Sequence, residues 1–164
     1  YFFLDEIVSN IPGKLTVVNG GTQAHIYTTH AHQRDSLYSL LKSRAIDFSV
    51  IRREDFPKRW RYDHVRSGDL LMVAKAGKYL VSGSRETLDQ NLNEGSFFGA
   101  HGYDPYEEKR MGGIFYARGP NIKSGVRIPA FENIHIYPLI ARILGMKIPK
   151  LDGRFNVLKP IYRK

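Results

Sequence analysis

The run Gly99-Ala100-His101-Gly102-Tyr103-Asp104-Pro105 holds the residue types best suited to chemistry in this chain. Neutral imidazole is the commonest side-chain ligand for zinc, and small neighbours on both sides let the backbone bend sharply and bring the His101 ring up to an ion. Asp104 is spaced to add an outer carboxylate. A zinc site takes three or four ligands, so one histidine by itself proves little, and spacing alone favours a loop histidine beside a turn.

Three other groupings invite the same question. Asp63-His64 is an adjacent pair of ligand types, but it sits after Trp60-Arg61-Tyr62 and ahead of an apolar run, where an exposed loop is expected. His30-Ala31-His32 has a spacing that places both rings on one face of a strand. No carboxylate or cysteine lies close enough in sequence to complete a site, and a solvated loop is expected there too. Arg52-Arg53 and Lys58-Arg59-Trp60-Arg61 form the densest basic stretch, with aromatics interleaved, in a chain of formal charge +9. Such a patch can hold phosphates by counterion release and stacking. The remaining Lys and Arg are scattered, so a solvated basic loop is the favoured reading and nucleic acid is disfavoured as a partner.

The elements that must position these residues follow from pattern. Lys14–Val18 and Gln23–Tyr27 read as strands joined through Asn19-Gly20-Gly21, a strong hairpin signal. Asp35 is expected to cap a helix carrying Leu37, Leu40 and Leu41 on one face and ending near Arg44. Ile46–Ile51 alternates and returns as a strand. Leu70–Ala74 and Lys78–Val81 flank Ala76-Gly77 as a second expected hairpin. Residues 82–99 lack periodicity and are expected to form a long loop that delivers His101. Met111–Pro120 reads as a short buried strand closed by Gly119-Pro120. Phe131–Gly145 reads as an apolar helix with Asn133 as N-cap, Pro138 tolerated near the first turn and Gly145 at the left-handed C-terminal position. Mixed strands and helices give an α/β class.

The order of turn, strand, loop and helix behind His101, with Asp152-Gly153 beyond, resembles the C-terminal end of the type I phosphodiesterase / nucleotide pyrophosphatase family, a branch of the alkaline phosphatase superfamily. The resemblance is dense from Gly99 to Leu158. It is looser upstream, at Val17–Gly21, Gln23–Tyr27 and Gly68–Ala74. It implies an alkaline-phosphatase-like α/β sandwich with hairpin insertions, in which the histidine of His101-Gly102-Tyr103-Asp104 is a metal ligand. It also implies two zinc ions and a Thr or Ser nucleophile that forms a covalent intermediate with phosphorus. The substrate implied is a nucleotide or another phosphodiester.

The family's nucleophile motif, its Asp-x-x-x-His and its Asp-His-Gly-Met are missing from these 164 residues. Residues 1–164 are therefore expected to be the C-terminal portion of a single catalytic domain. That portion carries no catalytic nucleophile, no organic cofactor site and one metal ligand, His101. Taken alone it is expected to be inactive, with its missing N-terminal half as its natural partner. A non-catalytic phosphate or nucleic-acid binding module is the alternative.

Composition bounds the rest. The chain is 42% hydrophobic without an 18-residue apolar run, so no membrane-spanning helix is expected. Cysteine is absent, which excludes disulfides and thiolate metal sites and leaves His and carboxylate as metal donors. An extracellular or periplasmic location follows from the family resemblance alone, with any signal segment expected upstream.

Overall fold

A computed structural model describes residues 1–9, 11, 13–93 and 99–164. The chain divides into two units, Tyr1–Gly112 and Gly113–Lys164. The mixed α/β class expected from the sequence is the one found.

In the first unit the main sheet has the order β2-β3-β5-β4, with β2 Leu15–Asn19, β3 Gln23–Thr28, β4 Phe48–Arg52 and β5 Leu70–Ala74. Every neighbouring pair is antiparallel. The Asn19-Gly20-Gly21 signal is honoured by the β2–β3 hairpin, in which Asn19 stands opposite Ala24. Alternation puts Ala24 and Ile26 of β3 inward, beside Leu70 and Met72 of β5 and Phe48 and Val50 of β4. Helix α2, Ala31–Ser43, covers this face with Leu37 and Leu41, four residues apart and both buried. Its N-cap is His30 rather than Asp35, which lies one turn inside and instead meets Arg34 and Arg52.

Three further short elements belong to this unit. Phe2–Phe3 (β1) leads into α1, Leu4–Val8, and pairs in parallel with β6, Leu80–Val81. The second expected hairpin is therefore not formed. Asp47 holds both Lys75 and Lys78 by their ammonium groups, and Lys78 N–H closes a turn on the Lys75 carbonyl, which carries the chain away from β5 toward β1. Both lysines hold the Asp47 carboxyl below its ordinary range, Lys78 most strongly.

Residues 82–99 are not one long loop. Arg85–Asn93 form α3, started by Ser84, whose hydroxyl accepts from Thr87 N–H at 3.3 Å. With only Leu88 and Leu92 as apolar residues one turn apart, the segment is too polar for periodicity to announce a helix. The remainder of that expected loop, apart from Gly99, falls outside the described residues after Asn93.

The second unit gathers around Leu139, Leu158 and Ile161, with Phe115, Ile122, Ile128 and Phe131 packed against them. Its main helix α4 spans Ile136–Ile143 and is preceded by a 3-10 turn at Asn133–His135. Asn133 is thus inside that turn, and Glu132 and His135 occupy the flanking positions where a cap was expected. Pro138 sits buried in the first turn, where its missing N–H costs nothing, and Gly145 takes φ +65° after the helix. Helix α5, Phe155–Leu158, is tied back by Arg154 N–H donating to His135 Nδ1 at 3.0 Å. Gly153 lies against Ile134, and a β-carbon there would stand 2.1 Å from that carbonyl oxygen. Met111–Pro120 forms no strand among the described residues.

The packing yields a direct expectation. Leu41 is fully buried between α2 and the sheet, so Leu41→Ala should lower the unfolding free energy by about 2–5 kcal/mol in urea denaturation.

Candidate functional site

His101 is exposed, and neither ring nitrogen is hydrogen-bonded among the described residues. Its backbone, in contrast, is fixed. Thr22, buried at the end of the β2–β3 turn, donates its hydroxyl to the His101 carbonyl at 2.7 Å. Two residues on, Tyr103 donates its phenol to the Lys78 carbonyl at 2.6 Å. Burial pushes the Tyr103 hydroxyl above its ordinary pKa, which keeps it a donor. Asp104 then closes the turn, its side chain only 5% exposed.

The turn residues between these anchors are dictated by space. Gly102 has φ +97°, a conformation that side chains resist, and a β-carbon would lie 2.7 Å from the Thr22 hydroxyl. Glycine is therefore required next to His101 for the Thr22 tether to close. The tether is itself referred to the sheet. Asn19 Oδ1 accepts from Gly21 N–H, the Gly21 carbonyl accepts from Leu80 N–H, and the Thr22 carbonyl accepts from Ala74 N–H.

Asp104 does not serve as an outer carboxylate for His101. One oxygen accepts from Arg59 and from the Trp60 indole N–H, and the other accepts from Tyr106 N–H at 2.9 Å. The expectation failed because the Arg59-Trp60 stretch, distant in sequence, reaches the same carboxylate. Arg59 also stacks over Tyr106, with its guanidinium carbon 4.8 Å from the ring centre. The basic stretch therefore supplies a structural cation rather than a wholly solvated loop. Lys58 and Arg61 remain on the surface beside it.

Further along the same segment, Arg110 makes a two-pronged ion pair with Glu108 at 2.7 and 2.9 Å and pulls that carboxyl down to about 2.

The other sequence candidates are not brought to His101 by any contact among the described residues. His64 caps a short 3-10 turn, its Nδ1 accepting from Arg66 N–H at 3.1 Å, and Asp63 is exposed beside it. His30 and His32 stack with ring centres 5.5 Å apart, one capping α2 and the other in its first turn, rather than lying in a strand or a loop. His25, not singled out by spacing, has Nδ1 at 2.9 Å from the Ser67 carbonyl and its ring against Tyr62. Among the described residues no three His, Cys, Asp or Glu side chains converge as a metal site. No helix among them is long and apolar enough to cross a membrane.

Two expectations follow. Thr22→Val should cost about 1–3 kcal/mol in urea unfolding by leaving a partly buried carbonyl unpaired, while Thr22→Ser should stay near wild type. The Glu108 carboxyl should titrate near 2 by NMR and return toward the ordinary carboxylate range in Arg110→Ala. Because its folded pKa is lowered, the stabilisation it lends is complete above the ordinary carboxylate value and disappears as pH falls toward 2.

Comparison with known proteins places this geometry. Residues 1–104 match the family described as type I phosphodiesterase / nucleotide pyrophosphatase, so the match runs through the upstream part and ends just past His101. Rat ectonucleotide pyrophosphatase/phosphodiesterase family member 7 is 34% identical over 130 residues, covering 79% of this chain and 28% of the relative. The Xenopus laevis bis(5'-adenosyl)-triphosphatase is 29% identical over 149 residues, covering 90% of this chain and 30% of the relative. The solved murine ectonucleotide pyrophosphatase/phosphodiesterase 5 superposes with a TM-score of 0.80 at 23% identity, over 98% of this chain and 40% of that one. The chain thus spans less than a third of these curated relatives, and the solved structures share its alkaline-phosphatase-like fold.

Proposed function

The chain belongs to the type I phosphodiesterase / nucleotide pyrophosphatase family, and on that footing we propose that it is the C-terminal portion of a zinc-dependent hydrolase of phosphodiester or pyrophosphate bonds, to which His101 contributes one metal ligand. The observation that carries this reading is the contrast at His101: a backbone held by Thr22 and, through the same turn, by Tyr103 and Asp104, with neither ring nitrogen hydrogen-bonded among the described residues.

The residues present suit zinc as one donor of a larger set. Imidazole is a preferred zinc ligand, the chain has no cysteine to compete, and no further His or carboxylate converges on His101 among the described residues, which fits a site shared with other polypeptide. Zinc in such a site would polarise a phosphoryl oxygen and stabilise charge in an in-line displacement. What this chain does is hold the backbone that carries the ring. The Thr22 hydroxyl fixes where the His101 peptide lies, the Gly102 conformation sets the direction of the turn, and Asp104 is locked by Arg59 and Trp60 so that the turn cannot swing. Preorganisation of this kind removes the cost of ordering a ligand when a metal arrives.

In this reading the Thr or Ser nucleophile and the other ligands belong to the rest of the enzyme, so the chain by itself is inactive. A nucleotide substrate is supported by the relatives: one is named a bis(5'-adenosyl)-triphosphatase, and an inactive variant of the murine family member 5 is described in complex with AMP. The "ecto" in the relatives' names supports an extracellular or periplasmic site of action. The nucleic-acid alternative loses its main support, because Arg59 is already engaged by Asp104 and the Tyr106 ring.

The test is hydrolysis of a p-nitrophenyl phosphodiester by the whole enzyme. His101→Ala should lower kcat/KM by more than about 100-fold, since loss of an outer-sphere partner of a metal ligand alone costs roughly 10–100-fold. The 164-residue chain should show no turnover. Full activity in the variant removes His101 from the site.

A further inference from the structure

Between α2 and the chain leading into β2 lies a groove of about 670 Å³, and no residue of the His101 turn lines it. Ile11, Gly13 and Lys14 form one wall, and Leu37 and Leu40 of α2 form the floor. The lining is mainly apolar with a few polar groups, and its size is that of a small-molecule site.

The walls are fastened to each other. Gln33, in the first turn of α2, donates its amide to the Lys14 carbonyl at 3.3 Å and accepts from Thr29 N–H at 3.2 Å. The Thr29 hydroxyl reaches the same Lys14 carbonyl at 3.2 Å. Gly13 permits this close approach: its φ is +95°, and a β-carbon there would stand 2.5 Å from the Gln33 amide nitrogen.

With Gln33 and Thr29 spent on fastening, other polar groups remain at the mouth. The His30 and His32 rings stack 7° from parallel, and neither ring is hydrogen-bonded among the described residues. His30 caps α2 without using its side chain. The Lys14 ammonium has no ion pair among the described residues either. No Asp or Glu lines the groove, and Asp35, the acid that follows in α2, is taken by Arg34 and Arg52. The basic groups gather at the start of α2. Leu40 lies eight residues beyond His32, about 12 Å along the axis at the rise of a helix.

We propose that this groove binds a single-chain amphipathic carboxylate, a fatty acid anion, with its head at His30, His32 and Lys14 and its hydrocarbon chain along Ile11, Leu37 and Leu40. Charge complementarity selects this occupant: the mouth offers an ammonium and imidazole N–H donors with no acid to balance them. The apolar floor excludes a small inorganic anion as the whole ligand, and its length suits a chain of medium size. The inference does not depend on zinc or on His101.

Isothermal titration of the whole enzyme with dodecanoate, below its micelle concentration, tests it. Binding should saturate at one site per molecule. Dodecyltrimethylammonium, with the same chain and the opposite charge, should bind at least about tenfold more weakly, and acetate should not bind measurably. The double variant His30→Ala/His32→Ala should weaken dodecanoate binding by about tenfold or more, the worth of a hydrogen bond to a charged group. Leu40→Glu should abolish it. If that variant fails to fold, the histidine variant decides, since both rings are exposed and His30 caps without its side chain. Binding by the His101→Ala enzyme should match the unaltered enzyme, so failure of the metal reading leaves this result intact. No saturable binding by the whole enzyme overturns the proposal, as does equal affinity for the cationic amphiphile or unchanged affinity in the histidine variant.

Discussion

The hydrogen bond from the Thr22 hydroxyl to the His101 carbonyl is the constraint on which the site depends. It spans 79 residues of sequence and joins a surface turn to the buried Thr22 at the end of the β2–β3 hairpin. Thr22 can serve because its own backbone is committed to β5 through Ala74 and its side chain is buried, so the hydroxyl has a fixed position and one partner. The glycine after His101 is a consequence of that bond, since any side chain there would push the threonine away. Asn19-Gly20-Gly21 does more than reverse the chain: it sets the place from which the site is measured, and Leu80 docking on Gly21 ties β6 to the same point.

Around that bond the residues divide between holding and presenting. Tyr103 and Asp104 hold, through Lys78 and through Arg59 with Trp60, and their polar atoms are used up in doing so. His101 presents, its ring left outside this network. The same division explains the basic stretch. Arg59 is more valuable as a buried carboxylate's partner than as a surface charge, because a carboxylate as enclosed as Asp104 would otherwise be left without compensation.

Much of this was legible in the residues. The hairpin at Asn19–Gly21, the β4 strand, the α2 helix with Leu37 and Leu41 inward, and the left-handed Gly145 follow from local rules that tertiary packing did not override. Two of the failures share a cause. Whether Lys78–Val81 returns to β5 depends on Asp47, and whether Asp104 faces His101 depends on Arg59; both answers lie some 30 to 45 residues away in sequence. Helix α3 was missed for want of apolar residues. Met111–Pro120 was expected as a short buried strand and forms none among the described residues, where Ile114 and Tyr116 are exposed: its residue types favour a strand, but a strand also needs a partner. The Thr22 tether had no sequence signal beyond a glycine beside a histidine.

In the proposed function the tethered turn presents the His101 imidazole to a metal. Anomalous diffraction at the zinc edge from crystals of the whole enzyme tests it most directly. The expected result is a zinc ion about 2.0–2.1 Å from a ring nitrogen of His101, with the Thr22 hydroxyl still on the His101 carbonyl. Zinc bound by other residues, with the His101 ring in solvent, would contradict it.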